Sequence, residues 1–118
     1  MLFAQIGLAL AVASGDPRPI AIDGCQVLHT RSFVSAFRPV IISFTNLRTT
    51  SAIAVDFTVE YAGHSEHITD SGLFAQNVRI DHRFAGFYNV RYAGPPPRCS
   101  VDYVKFSDGS RWGHPPRS

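Results

Sequence analysis

The chain has 118 residues, of which 45% are hydrophobic and 17% are charged, as expected for one globular domain. The net charge of +2 is spread along the chain, and Lys105 is the only lysine. This distribution excludes the concentrated basic patch that nucleic-acid binding requires, so no nucleic-acid partner is predicted. Nine Phe, four Tyr and many β-branched residues favour strands over helices.

The N-terminal segment, residues 1–13 (MLFAQIGLALAVA), is uncharged and almost wholly apolar. It is shorter than the roughly 20 apolar residues that span a bilayer, and Ala11-Val12-Ala13 matches a secretory cleavage site. We predict a signal peptide at 1–13 and a linker at 14–19, hence a secreted or periplasmic protein with no stable membrane span after leader removal. The alternative is an edge strand or a loose helix of the folded domain.

Two cysteines, Cys25 and Cys99, remain after the leader. An even count suits one disulfide in an oxidising compartment, whereas free thiols in a cytosolic protein are the alternative. Trp112 follows the second cysteine instead of lying between the two, as it would in an antibody domain. The disulfide is therefore expected to tie an N-terminal strand to a late one.

Period-two alternation of apolar residues begins at Ile20. The apolar residues occupy even-numbered positions up to Ile22 and odd-numbered positions from Cys25. This change predicts a β-bulge near Gly24. In residues 40–46, apolar side chains again recur at every second position, which predicts the next strand. Residues 53–61 (IAVDFTVEY) give the clearest pattern and predict that their odd-numbered, larger side chains are buried opposite a polar face.

Three further strands are predicted in the middle of the chain. Residues 64–70 suggest a short partner strand that ends before Ser71-Gly72. In residues 77–84, Val78, Ile80, His82 and Phe84 share one face, so His82 is expected at the core edge, bonded to a backbone carbonyl. Residues 88–92 suggest another short strand.

The last predicted element is a hairpin in residues 99–112 (CSVDYVKFSDGSRW). A change of phase predicts a bulge near Asp102 or Tyr103. A two-residue turn would pair Lys105 with Trp112, whereas a three-residue loop with Gly109 left-handed pairs Val104 with Trp112. We predict the second, because it buries the indole ring.

About seven short strands separated by turns predict an all-β fold, an antiparallel immunoglobulin/fibronectin III-like β-sandwich. The domain is placed at residues 20–113, followed by a flexible tail at 114–118. A small β-barrel is the alternative architecture.

The segment C-x-V-x-x-V-x-F-x-D-G-x-x-W, which begins at Cys99 and ends at Trp112, resembles the C-terminal end of small uncharacterised exported bacterial proteins. The stretch from Ile42 through Phe84 is similar to them as well, in ISFTN, I-x-D-x-G-x-F and V-x-I-x-H-x-F. The resemblance implies an exported sandwich with structural motifs and carries no activity with it.

Few side chains suggest chemistry. His64 and His67 in H-S-E-H could offer two imidazoles to a metal, provided that the strand bends there. A Gly-x-Ser-x-Gly elbow and a glycine-rich phosphate loop are both missing from the sequence. We therefore predict no catalytic residues and no cofactor.

Aromatic and cationic residues in two loops provide candidate interface anchors. These are Phe33, Phe37, Arg38 and Phe87. The leading hypothesis is an exported non-enzymatic module that contacts an unknown protein or the cell surface, and the alternative is a metal-binding protein centred on His64 and His67.

Overall fold

A computed structural model describes residues 18–28, 38–88 and 95–115 of the chain. The predicted leader at 1–13, most of the linker and the end of the tail lie outside these residues. Within them the protein is all-β, as predicted, and contains seven strands. The strands are β1 (Ile20–Val27), β2 (Arg38–Asn46), β3 (Ala52–Tyr61), β4 (His64–Phe74), β5 (Arg79–Phe87), β6 (Arg98–Phe106) and β7 (Arg111–Gly113).

The seven strands form two antiparallel sheets, with the orders β1-β2-β5 and β4-β3-β6-β7. The pairs β2–β5 and β3–β6 join strands that are not consecutive in the chain, which is the Greek-key connection of sandwich folds. In an immunoglobulin constant domain the fourth strand lies beside the fifth, whereas here β4 pairs with β3. The predicted immunoglobulin/fibronectin III-like sandwich is confirmed.

The core lies between the two sheets and is built from the apolar face of each strand. Phe44 is central, with ring centroids 5.2 Å from both Phe57 and Phe74. Rings at this separation in tilted and edge-on orientations attract one another beyond the burial of their area. Branched side chains fill the space around them: Ile20, Val27, Val40, Ile42, Val55, Val59, Ile68 and Val104.

Two predicted bulges are present. The pairing of β1 with β2 shifts between Ile22 and Gly24, so Cys25 packs on the same core face as Ile22 although the two are three positions apart. In the pairing of β3 with β6, Asp56 lies opposite Tyr103 and Phe57 lies opposite Val101. Asp102 is therefore the extra residue of the second bulge.

The strand β3 differs from the prediction at its start. The pairing register shifts between Ala52 and Ala54. The shift turns the even-numbered Ala52 towards the core and leaves the odd-numbered Ile53 half-buried. Asp56, expected on the wet face, is buried. Its carboxylate accepts a hydrogen bond from Thr69 on β4, and this bond replaces a hydrogen bond to water that burial removes.

Two boundaries in the middle of the chain were predicted incorrectly. The strand β4 runs through Ser71-Gly72 to Phe74, because Phe74 continues the apolar face that packs on Phe44. Val78 precedes β5 and is 49% exposed, since the chain turns at Asn77, which has a φ of 63°. Most of the strand predicted at 88–92 lies outside the described residues.

The late hairpin has the predicted three-residue loop. The Phe106 amide donates to the Ser110 carbonyl over 2.9 Å, and Gly109 has a φ of 91°. Val104 consequently lies opposite Trp112, whose ring is half-buried against the core.

A disulfide joins Cys25 on β1 to Cys99 on β6, with the two Cα atoms 6.2 Å apart. It links the two sheets and connects an early strand to a late one, as predicted. The part of the chain that the structure describes holds no helix long and apolar enough to cross a membrane.

Candidate functional site

A groove of about 690 Å³ lies at the edge of the four-stranded sheet, where β7 ends, and we call it the β7 groove. It combines polar side chains of four strands with one indole ring. Its lining residues are Thr58, His67, Val101, Asp102, Arg111, Trp112, Gly113 and His114.

Thr58 is the centre of a hydrogen-bonded cluster on the outer face of the sheet. It lies on β3 directly opposite His67 of β4, and its Oγ1 is 3.1 Å from the Nδ1 of that ring. The same hydroxyl donates to the Oδ2 atom of Asp102 on β6. Three neighbouring strands therefore contribute one polar side chain each.

The bulge in β6 determines the environment of Asp102. Val101 and Val104, on either side, both pack towards the core. Since one residue is extra, Asp102 and Tyr103 both turn to the outer face, where Asp102 accepts from Thr58 and Tyr103 lies opposite Asp56. The predicted bulge thus concentrates polar groups at the end of β7.

The hydrogen bonds define the protonation pattern of the cluster. A threonine hydroxyl has one proton, and Thr58 donates it to Asp102. Its contact with His67 therefore requires a proton on Nδ1, which in a neutral ring leaves Nε2 as an acceptor. The cluster presents fixed polar groups beside the Trp112 ring, an arrangement typical of a binding surface.

A second polar contact joins the two sheets at their facing edge strands. His82 of β5 contacts the carboxylate of Asp70 on β4, with Nδ1 and Oδ2 2.5 Å apart. The imidazole lies near the rings of Phe74 and Phe84, at the core edge as predicted. The predicted carbonyl partner is wrong, because Asp70 is buried and uses the imidazole as its partner.

Two exposed carboxylates have perturbed acidity. The pKa of Asp81 is lowered, first by the hydrogen bond from the Ser43 hydroxyl and then by that from Arg79. The pKa of Asp108 is lowered by hydrogen bonds from the hydroxyl and the amide of Ser110. Each bond favours the ionised carboxylate.

The predicted metal ligands His64 and His67 do not come together. His67 bonds Thr58 on the outer face, whereas the His64 ring is 6.5 Å from the ring of Phe87 on the core side. Their spacing of three in a straight strand sends them to opposite faces. The described ranges contain no group of three or more metal-ligating side chains, and a site at this pair stays a prediction.

The predicted interface residues have different positions. Phe33 and Phe37 lie outside the described residues. Arg38 begins β2 and is half-buried. Phe87 is only 1% exposed, with its ring centroid 5.8 Å from that of Tyr61, so it is a core residue and cannot anchor a partner at the surface.

Sequence analysis missed Thr58 and Asp102 as site residues. The pattern of 53–61 placed Thr58 on a polar face, and the phase change in β6 located the bulge. Their convergence depends on the cross-strand register, in which Thr58 lies between His67 and Ser100. Periodicity within one strand does not specify that register.

The chain is a disulfide-linked, immunoglobulin-like sandwich with a groove at the β7 edge of its four-stranded sheet. Comparisons with protein-family models, with curated proteins and with solved structures found no match to this chain. The resemblance to small exported bacterial proteins stays a prediction.

Proposed function

We propose that this protein is an exported, non-enzymatic binding module that contacts another protein or the cell surface through its β7 groove. The observation that carries the proposal is the Cys25–Cys99 disulfide, which links the two sheets. Disulfides persist in oxidising compartments and are rare in the cytosol, which supports a secreted or periplasmic location.

The hydrogen bonds of the groove support a binding surface. The Thr58 hydroxyl donates to Asp102 and contacts His67, so three neighbouring strands hold their polar side chains in fixed positions beside Trp112. Fixed polar groups beside an apolar ring favour recognition of a partner.

The composition of the groove supports a macromolecular partner. Trp and Arg are the residues most enriched among energetic anchors of protein interfaces. Trp112 is half-buried and Arg111 is exposed, with His67 exposed beside the Thr58 cluster. A fixed aromatic ring next to an exposed cation suits a partner that combines apolar and polar surface.

Export is tested by the intact mass of the protein recovered from its native host without reduction. We expect the mass to fall short of the reduced form by two hydrogen atoms. A fully reduced protein in the cytosolic fraction would remove the basis of the proposal.

Binding through the groove is tested with labelled protein added to the envelope fraction of the native host. Arg111→Ala and His67→Ala are expected to weaken binding about tenfold, as loss of an interface anchor costs more than 1 kcal/mol. The control is Arg83→Ala, an exposed arginine on the other sheet. Equal effects of all three would exclude the groove, and a hydrolytic activity abolished by the groove variants would overturn the non-enzymatic assignment.

A further inference from the structure

The four-stranded sheet ends in a partly open edge. The strand β6 has nine residues, whereas β7 has three and pairs only with residues 103–105. One more bond continues this pairing, from the His114 amide to the Asp102 carbonyl at 3.0 Å. Beyond that bond, residues 98–101 have no neighbour on this side among the described strands, and we call them the β6 edge.

The strand β7 ends where the β6 edge begins. Gly113 has a φ of 83°, in the left-handed region, and a Cβ there would collide with the Asp102 carbonyl. Pro115 follows His114, and a proline has no amide proton with which to extend the pairing. The pairing of β7 with β6 therefore stops at Asp102.

The β6 edge is accessible and lies between two cavities. Arg98 and Ser100 are exposed. Val101 lines both the β7 groove and a cleft of about 440 Å³ between β1 and β6, whose lining is polar as well as apolar. Because successive side chains of a strand point to opposite faces, a strand along the β6 edge would direct alternate side chains into the groove and into the cleft.

Open sheet edges are positions at which extended peptides bind. The unpaired backbone groups of an edge strand recruit another strand. Backbone hydrogen bonds then supply affinity, and pockets on either side of the edge select alternate side chains of the peptide. The β6 edge, which the described strands leave open between a groove and a cleft, has both features.

Cations lie on both sides of the β6 edge. Arg111 lines the groove and Arg18 lines the cleft, and both are exposed. Neither forms an ion pair with a described residue. Of the described residues that line the two cavities, only Asp102 has a carboxylate, and it accepts a hydrogen bond from Thr58. The charge beside the edge therefore suits an acidic partner.

Lys105 adds a second cation beside Arg111. It is exposed on β6 and lies directly opposite Arg111 of β7. The carboxylate of Asp108, in the loop between the two strands, accepts from Ser110 and pairs with neither cation. Like charges in directly opposite positions destabilise a sheet. A carboxylate bound beside them would reduce this repulsion.

We propose that an extended, acidic segment of another protein binds along the β6 edge as an added strand in line with β7. Its carboxylates pair with Arg111 on the groove side, and its alternate side chains enter the cleft. The inference rests on the proposed function, because it names the chemistry of the partner that the β7 groove contacts.

The test uses two short blocked peptides as probes, one of alternating valine and glutamate and one in which lysine replaces each glutamate. Amide hydrogen exchange is measured on the full chain with and without each peptide. We expect the glutamate peptide to slow exchange roughly tenfold at those amides of the β6 edge that are not bonded to β3. The lysine peptide should leave them unchanged, and the amides of β3 should remain protected in every sample as the folding control.

A charge reversal tests the role of Arg111. Arg111→Glu should weaken binding of the glutamate peptide about tenfold or more, because it replaces an anchor by a like charge. The matched control is Arg83→Glu, which makes the same change at an exposed position of β5 in the other sheet and should leave binding unaffected.

Three results would overturn the inference. The first is equal binding of the two peptides, or no binding of the glutamate peptide. The second is slow exchange at the β6 edge in the protein alone, because the chain itself or a second copy would then cover it. The third is protection of β1 in place of β6 when the glutamate peptide binds.

The outcomes separate this inference from the proposed function. If the glutamate peptide fails to bind while Arg111→Ala still weakens binding to the envelope fraction, the acidic strand is excluded and the groove remains the binding surface. A fully reduced, cytosolic protein that binds the glutamate peptide at the β6 edge would remove the export proposal and leave this inference standing.

Discussion

Asn46 shows how a polar side chain is accommodated in this core. It is fully buried at the end of β2, and its Nδ2 atom donates to the carbonyls of Thr50 and Phe74, each at 2.9 Å. Its Oδ1 atom accepts from the Arg48 amide at 3.0 Å. All the polar atoms of the amide therefore have partners, and Asn46 fixes the turn between β2 and β3 to the end of β4.

Among the described residues, the side-chain partner of Asp70 is His82. Its side chain is 8% exposed, whereas that of His82 is 45% exposed. We expect His82→Ala to lower the free energy of unfolding by about 1–3 kcal/mol, because a buried carboxylate then loses its partner. Chemical denaturation measures the change.

The matched control is His67→Ala, an exposed histidine whose partner Thr58 keeps its bond to Asp102. Its cost should stay within about 0.5 kcal/mol, as for other surface substitutions. Equal costs for the two variants would contradict a special role for the Asp70 contact.

Asp81 provides a prediction on pH. Because its folded-state pKa lies below the ordinary value of 3.8, its ionised form contributes stability that is present above that value and is lost as the pH falls through the folded pKa. Ser43→Ala removes the largest cause and should raise the pKa of Asp81 towards 3.8. A carboxyl NMR titration measures this, with Asp108 as the internal control, since its pKa depends on Ser110.

At the scale of elements, the late hairpin depends on two glycines with positive φ. Gly109 has a φ of 91° and open space where a Cβ would be, whereas a Cβ on Gly113 would collide with the Asp102 backbone. Gly109→Ala should cost about 1–2 kcal/mol from the left-handed conformation alone. Gly113→Ala should cost more, because β7 must also move.

The fluorescence of Trp112 distinguishes the two variants. Gly109→Ala should leave the emission maximum of the half-buried indole unchanged, while Gly113→Ala should shift it to longer wavelength as β7 separates from Asp102. An identical spectrum in both would mean that the collision is relieved without displacement of β7.

At the scale of the whole molecule, the disulfide is the covalent link between the sheets. It joins residues separated by 74 positions, so it restricts the unfolded chain strongly. Replacing Cys25 and Cys99 by serine should lower the free energy of unfolding by about 2–4 kcal/mol while the far-ultraviolet spectrum stays that of a β protein. A change below about 0.5 kcal/mol would indicate that the unfolded chain is already restricted by other contacts.

The amino-acid sequence by itself determined the sandwich, both bulges, the three-residue loop of the hairpin and the link from an early to a late strand. Each of these features follows from the alternation of buried and exposed side chains or from turn residues. Both signals lie in neighbouring positions of the chain. Local patterns also predicted that His82 lies at the core edge.

Only the tertiary structure decided which side chains from different strands meet. The partner of His82 is Asp70 on the other sheet, and Thr58 meets Asp102 through a register that spans 44 positions of sequence. The burial of Phe87 and the short length of β7 likewise depend on neighbours distant in the chain. The alternation of apolar residues predicts which face of a strand is buried, whereas strand order and register determine which residues pack against that face.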